Sequence, residues 1–272
     1  MPIWFAIVLG ALQGVSEFLP ISSTAHLRIA PALMGQHDPG AAFTAVLQLG
    51  TLAAVLIYFA RDLFVDLPRA LITAPRSARG RLPIYLIVGT IPIGVAGVAG
   101  KSLWTGDARS LWVIAVALII VALAMLVIDR GPERTRTIDQ LALTDALLIG
   151  LAQSLALVPG VSRSGATICA ALVLGLRRSD AARFSFLLGV PAIAAAGVFQ
   201  LPAAIHELGD DALTPLLIGT LTAAVVGYAS IAWLLRYLGR HRFTGFAGYR
   251  IVLGVTLVAL LASGVIDPFA GT

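Results

Sequence analysis

The chain has one cysteine, Cys169, in 272 residues. That excludes a disulfide framework and a cysteine-based metal site. Charge is scarce as well: charged residues make up 12% of the chain, where a soluble domain carries about 25%. So few charges cannot form a water-facing shell. With 58% hydrophobic residues and a mean hydropathy of +0.94, the composition describes a polytopic integral membrane protein. The N-terminus, Met1-Pro2-Ile3-Trp4, lacks a basic region, and its apolar run continues past any small-residue cleavage site into Ser16-Glu17-Phe18. No cleaved signal peptide is expected.

What the chain does have is long uncharged runs. Segments 39–60, 82–100, 110–128, 184–205, 212–235 and 251–266 contain neither charge nor histidine. About 20 helical residues cross a hydrocarbon core of roughly 30 Å, so the first five qualify outright, and the sixth spans if Arg250 snorkels to the interface. The net charge of +5 and pI near 10.0 come from arginines in short loops, which is a topology signal and not a nucleic-acid one. Loops 61–81, 129–140, 177–183 and 236–250 are rich in arginine and are assigned to the inside. Loops 101–109 and 206–211, poor in Lys and Arg, go outside with both termini.

That assignment puts 129–140 and 177–183 on one side, so the mostly apolar segment 141–176 must enter and return there. It is interrupted by Pro159-Gly160 and Arg163, and irregular backbone at that depth needs protein or a water-filled cavity around it. Residues 1–40 look alike, with a break at Pro20. At an offset of 140, Gly10, Gln13, Ser22 and Thr24 fall on Gly150, Gln153, Ser162 and Ser164. Three spans follow each broken segment, and an odd number inverts the second copy. The expected architecture is therefore all-α: six full transmembrane helices plus two broken or re-entrant hairpins, one membrane domain of two inverted repeats, 1–138 and 139–272, meeting near the midplane.

Ionisable residues at membrane depth are costly and mark functional sites. Glu17, His26 and Arg163 are the clear cases, all within the broken segments. Gln13 and Glu17 share a helical face. Pro20 breaks that helix, and Ser22, Ser23 or Thr24 can cap the next one, freeing backbone N–H groups for an anion. If the second helix starts near Ser22, Ser23 and His26 lie one turn apart, a hydroxyl beside an imidazole suited to nucleophilic or acid–base chemistry. In the second segment Gly160 allows close backbone approach, Ser162 and Ser164 supply hydroxyls, Arg163 supplies a planar donor fork suited to phosphate, and Thr167 lies one turn beyond Ser164. Together these form an oxyanion and phosphate cradle.

Other polar residues read as packing. Thr44, Thr51, Ser185 and Thr220 should bond their own backbone, and Gln48 and Gln153 should make interhelical hydrogen bonds. Gly94, Gly97 and Gly100 suggest a close helix-packing face.

The two polar segments resemble the signatures of the undecaprenyl-diphosphate phosphatase family, also called bacitracin-resistance proteins. Gln13 and Glu17 match (E/Q)-x-x-x-E, and Pro159, Gly160, Ser162, Arg163, Ser164 and Thr167 match P-G-x-S-R-S-x-x-T completely. The run from Glu17 to His26 is similar to the family's serine and histidine stretch. The resemblance implies a phosphatase that removes the terminal phosphate from a C55 polyprenyl diphosphate carrier at the outer face of the bacterial plasma membrane. It also implies a divalent cation, Mg²⁺ or Ca²⁺, for which Glu17 and Gln13 are the candidate ligands. Gln13 stands where many members carry a carboxylate, which weakens a two-carboxylate metal site. By these readings Ser23, His26, Glu17 and Arg163 are catalytic candidates, and Ser22, Thr24, Gly160, Ser162, Ser164 and Thr167 are phosphate-binding candidates. The partners are the lipid substrate and membrane lipid, with no nucleic acid; a homodimer is left open. The competing reading is a secondary transporter or lipid-carrier flippase, also built on inverted repeats; a carrier needs charge complementarity but no nucleophile.

Overall fold

A computed structural model describes residues 1–100, 110–208 and 213–269; side chains at 41 and 203–208 are not described. Eleven α-helices account for most of these residues: α1 Ile3–Phe18, α2 Ser23–Met34, α3 Gly40–Tyr58, α4 Leu67–Thr73, α5 Ala78–Ala99, α6 Leu111–Asp129, α7 Leu143–Ser154, α8 Arg163–Val173, α9 Arg178–Leu208, α10 Leu213–Leu238 and α11 Thr244–Ala262. No strand forms among the described residues; one isolated bridge pairs Arg136 with Leu176.

Among the described residues five helices are long and apolar enough to cross a membrane: α5, α6, the Arg178–Pro202 part of α9, α10 and α11. A sixth arises if Ala42–Tyr58 and Asp62–Thr73, bent by 65° at the break between them, count as one span. The protein is thus an all-helical, multi-pass membrane protein. Residues such as Val98, Phe199 and Val127, at 84%, 80% and 72% exposure, face outward. In water such an apolar exterior would drive aggregation; in a bilayer it is the expected surface.

Several sequence expectations change: Ser185 bonds the Thr167 hydroxyl and Thr220 Oγ1 has no hydrogen-bond partner, where both were expected to bond their own backbone. The run at 251–266 needs no snorkelling arginine, because α11 begins at Thr244 and already reaches spanning length. Arg250 is instead fully buried inside the bundle. Gly94 is not a packing glycine, since a Cβ there would meet nothing within 4 Å. The close approaches are elsewhere: a Cβ at Gly10 would strike the carbonyl of Gly219, and one at Gly150 would strike that of Gly89. Those contacts seat α1 against α10 and α7 against α5.

The segment 141–176 enters and returns at the same end. Arg136 bonds Asp145, at the start of α7, at 2.5 Å and the Leu174 carbonyl, past the end of α8, at 2.6 Å. The basic loops gather at that end too. Asp129 accepts from Arg178 and from the Phe243 N–H, both at 2.7 Å, Asp180 accepts from the Ile138 N–H at 3.2 Å, and Arg183 pairs with Asp62. The loop at 101–109 lies outside the described residues, as do positions 209–212 beside the other loop assigned to the outside.

Candidate functional site

The site is built where two helices stop short. α1 ends at Phe18 because Leu19 turns extended and Pro20 follows, with no N–H to continue the ladder. After the turn, Ser22 takes φ 76°, and its hydroxyl caps α2 by accepting from the Ala25 N–H at 3.4 Å. The second loop does the same: Gly160 adopts φ 96°, Ser162 adopts φ 74°, and the Ser162 hydroxyl accepts from the Gly165 N–H at 3.1 Å. Among the described residues these two serines are the non-glycine positions with positive φ. An L-residue in that region is strained by about 1–2 kcal/mol, and such strain gathers at functional sites. Each cap leaves first-turn N–H groups with no acceptor within the helix, Ser23 and Thr24 on α2 and Arg163 and Ser164 on α8.

The two loops meet. Arg163 Nη2 donates to Glu17 Oε1 at 2.7 Å, and Nη1 donates to the Gly189 carbonyl at 3.0 Å. Glu17 Oε2 also accepts from Gln13 Nε2 at 2.9 Å and from the Ser23 hydroxyl at 2.8 Å. The Ser164 hydroxyl reaches the Leu19 carbonyl at 3.2 Å, tying the second loop to the first. A cavity of about 140 Å³ opens above this network, lined by Ser16, Glu17, Ser22, Ser23, Thr24, Gln48, Ser162 and Arg163 among others. Glu17 is 6% exposed, and these three donors replace the water its carboxylate has lost.

A family model described as bacitracin resistance protein BacA matches residues 6–256. A protein named undecaprenyl-diphosphatase from Myxococcus xanthus (strain DK1622) is 49% identical, covering 98% of this chain and 91% of the relative. Proteins of the same name from Mycolicibacterium smegmatis and from Synechococcus sp. (strain JA-3-3Ab) are also 49% identical, over 96% and 97% of the chain. The chain belongs to the BacA family.

Six of the ten catalytic and phosphate-binding candidates line the cavity of this BacA-family chain: Glu17, Ser22, Ser23, Thr24, Ser162 and Arg163. Gln13 lies fully buried behind Glu17, and its Oε1 has no hydrogen-bond partner. The other four candidates sit to one side. Gly160 offers its carbonyl to Arg250 at 2.9 Å, and Ser164 bonds Ser162 and the Leu19 carbonyl. Thr167 is fully buried and bonds the Arg163 carbonyl at 2.8 Å and Ser185 at 2.6 Å. His26 stacks on Tyr249, its Nε2 lies 2.6 Å from the Tyr249 hydroxyl, and its Nδ1 lies 2.7 Å from the Ser22 carbonyl. The Ser23 hydroxyl is thus paired with Glu17 and not with the imidazole one turn away. Of the two glutamines read as packing, Gln153 bonds the Gly89 carbonyl at 3.4 Å, whereas Gln48 lines the cavity.

Sequence reasoning missed Arg250. Its guanidinium, 0% exposed, donates to the carbonyls of Pro20, Gly160 and Val161 at 3.2, 2.9 and 3.2 Å, and to those of Leu118 and Ala117. It therefore clasps both broken loops from behind. Its place at the edge of an uncharged run looked like a loop boundary. A sharper signal was Phe246-Ala247-Gly248, which extends the helix backward past Arg250. Beside the second loop, Trp112, Val116, Ile120, Val158 and Val161 line an apolar groove of about 440 Å³.

Proposed function

We propose that this chain is an integral-membrane phosphatase that hydrolyses undecaprenyl diphosphate to undecaprenyl phosphate and inorganic phosphate, recycling the lipid carrier of cell-wall synthesis and giving bacitracin resistance. Family membership and relatives named undecaprenyl-diphosphatase support it. The observation that carries it is the Arg163–Glu17–Ser23 chain at 2.7 and 2.8 Å, joining the two broken loops at one polar cavity. The apolar groove beside Val161 suits the first isoprene units of such a lipid.

In this reading the terminal phosphoryl group enters between the helix starts, and its oxygens take over Arg163 and the first-turn N–H groups of α2 and α8. A guanidinium fork matches phosphoryl oxygens geometrically, and preorganised donors in a dry site supply most of such catalysis. Losing Arg163 to the phosphate frees Glu17. The Ser23 oxygen then attacks the terminal phosphorus while its proton passes to Glu17 Oε2. The bond from that phosphorus to the bridging oxygen breaks, and the lipid monophosphate leaves with the electron pair. Water hydrolyses the phosphoserine, releasing inorganic phosphate and restoring Ser23. His26, the acid–base candidate by spacing, is here a brace that holds α2 against Tyr249.

Family resemblance also suggests Mg²⁺ or Ca²⁺. Among the described residues no three His, Cys, Asp or Glu side chains form a group. Glu17 and the unpartnered Gln13 Oε1 nevertheless supply hard oxygens. One carboxylate fits an ion bound largely through substrate phosphate and water. Glu17 and Gln13 would hold it, and it would neutralise diphosphate charge.

The reading includes two inverted repeats, 1–138 and 139–272. The reciprocal contacts Gly10–Gly219 and Gly150–Gly89 and the matching strained caps Ser22 and Ser162 support it. The basic end would face the cytoplasm of the plasma membrane, with the site reached from the outer face. Release of inorganic phosphate by purified protein in detergent, where no second compartment exists, tests the function; a carrier would release none.

A further inference from the structure

A second cavity, of about 260 Å³, adjoins the first and shares Thr24, Gln48, Ala156 and Ala196 with it. Arg28, Thr44 and Gln200 complete its polar lining. Arg28 is 2% exposed, and its Nη1 pairs with Asp38 at 2.7 Å. The other Asp38 oxygen accepts from the Gly40 N–H at 3.0 Å. Arg28 Nε and Nη2, however, are buried with no hydrogen-bond partner. One Arg28 nitrogen makes the pair with Asp38, and two charged donors are left without an acceptor on a side chain that lines a polar cavity. Buried unsatisfied donors carry a penalty that an acceptor ligand would remove.

We propose that this cavity is a second phosphate-class anion site, with Arg28 as its cationic donor and the Thr44 hydroxyl and Gln200 amide beside it. Its ligand has tetrahedral phosphoryl chemistry because a guanidinium edge presents two donors in fixed geometry to two oxygens of one group, and because the cavity opens onto the site where phosphate is split off. Two sources share that chemistry: inorganic phosphate leaving the first cavity, and the phosphoryl group that stays on the lipid. The anion site stands on its own geometry; the choice of phosphoryl chemistry and of these two sources rests on the phosphatase reading.

The test uses full-length protein in detergent and the double variant Arg28→Gln/Asp38→Asn, which removes both charges so that neither is stranded. Inorganic phosphate is titrated calorimetrically without lipid, and the inhibition constant of phosphate and the KM for undecaprenyl diphosphate are measured alongside. Arg163→Gln, titrated in parallel, isolates binding at the second cavity from binding at the first. One of these constants should weaken by about tenfold or more, the scale of a lost charge-assisted bond. A change in phosphate affinity and inhibition with unchanged KM identifies released phosphate as the ligand; a raised KM with unchanged inhibition identifies the lipid-borne phosphoryl group. If the double variant does not fold, Gln200→Leu blocks the cavity without touching a charge and should weaken phosphate binding in the same assays. Unchanged phosphate binding, inhibition and KM in a folded variant overturn the proposal. Wild-type protein that binds phosphate through Arg28 yet releases none from lipid diphosphate would sink the phosphatase reading and leave the anion site standing.

Discussion

The two broken segments share a backbone and divide the chemistry. Both stop a helix early, both turn through a serine with positive φ, and both cap the next helix with that serine's hydroxyl. At the offset of 140, however, Glu17 falls on Leu157, Ser23 on Arg163, and Arg28 on Ile168. The first segment holds the carboxylate and the hydroxyl, and the second holds the guanidinium. On the proposed reading neither has a complete site, and the function is assembled only where the two segments meet, through the 2.7 Å pair of Arg163 and Glu17.

Changes at that pair break the comparison most severely. Glu17→Gln leaves Arg163 buried without its counter-charge and takes the proton acceptor from Ser23. Stability should fall by about 3–5 kcal/mol, and turnover by roughly 10³-fold. Arg163→Lys keeps the charge and loses the fork, so turnover should drop by about 10²-fold with a smaller stability loss. Steady-state phosphate release and thermal unfolding in detergent separate the two; near-native turnover in Arg163→Lys would mean that charge alone matters.

A milder break comes from Arg250→Met, which removes the clasp shared by both loops. The Pro20, Gly160 and Val161 carbonyls would lose a buried donor, at about 1–3 kcal/mol each at most. Unfolding should come several degrees earlier and kcat should fall about tenfold, because the loops lose their relative alignment. An unchanged kcat would make Arg250 purely structural. The smallest effect sharpens the likeness between the copies. Ser22→Gly and Ser162→Gly relieve the φ strain and lose the cap hydroxyl, and because glycine caps nearly as well as serine, each should shift stability by less than about 1 kcal/mol. The two shifts should match; a large difference would deny the loops equivalent roles.

Much of this was legible in the chain. Charge scarcity gave the membrane class, the Arg-rich loops marked segments that gather at one end, and Pro20 and Pro159-Gly160 marked both breaks. Gln13 to Glu17 at helical spacing became a 2.9 Å hydrogen bond. Partnerships across the bundle were not legible. Spacing put His26 one turn from Ser23, but the imidazole turned to Tyr249, which lies 223 residues away, and Ser23 turned to Glu17. Arg250 and Arg28 were invisible for the same reason: local sequence shows that an arginine abuts an apolar run, and only tertiary packing shows that it is buried. The glycines that matter at crossings, Gly10 and Gly150, could not be told from the exposed Gly94 by composition.

The proposal is that Ser23, oriented by Glu17 and facing Arg163 from the second broken segment, carries out phosphoryl transfer. It is tested most directly by measuring inorganic phosphate released from undecaprenyl diphosphate by purified wild-type and Ser23→Ala proteins in the same detergent. Wild type should release phosphate with turnover, while Ser23→Ala should lose at least about 10³-fold of that rate and still bind the lipid with nearly unchanged affinity. A Ser23→Ala protein that releases phosphate at close to the wild-type rate would contradict the account.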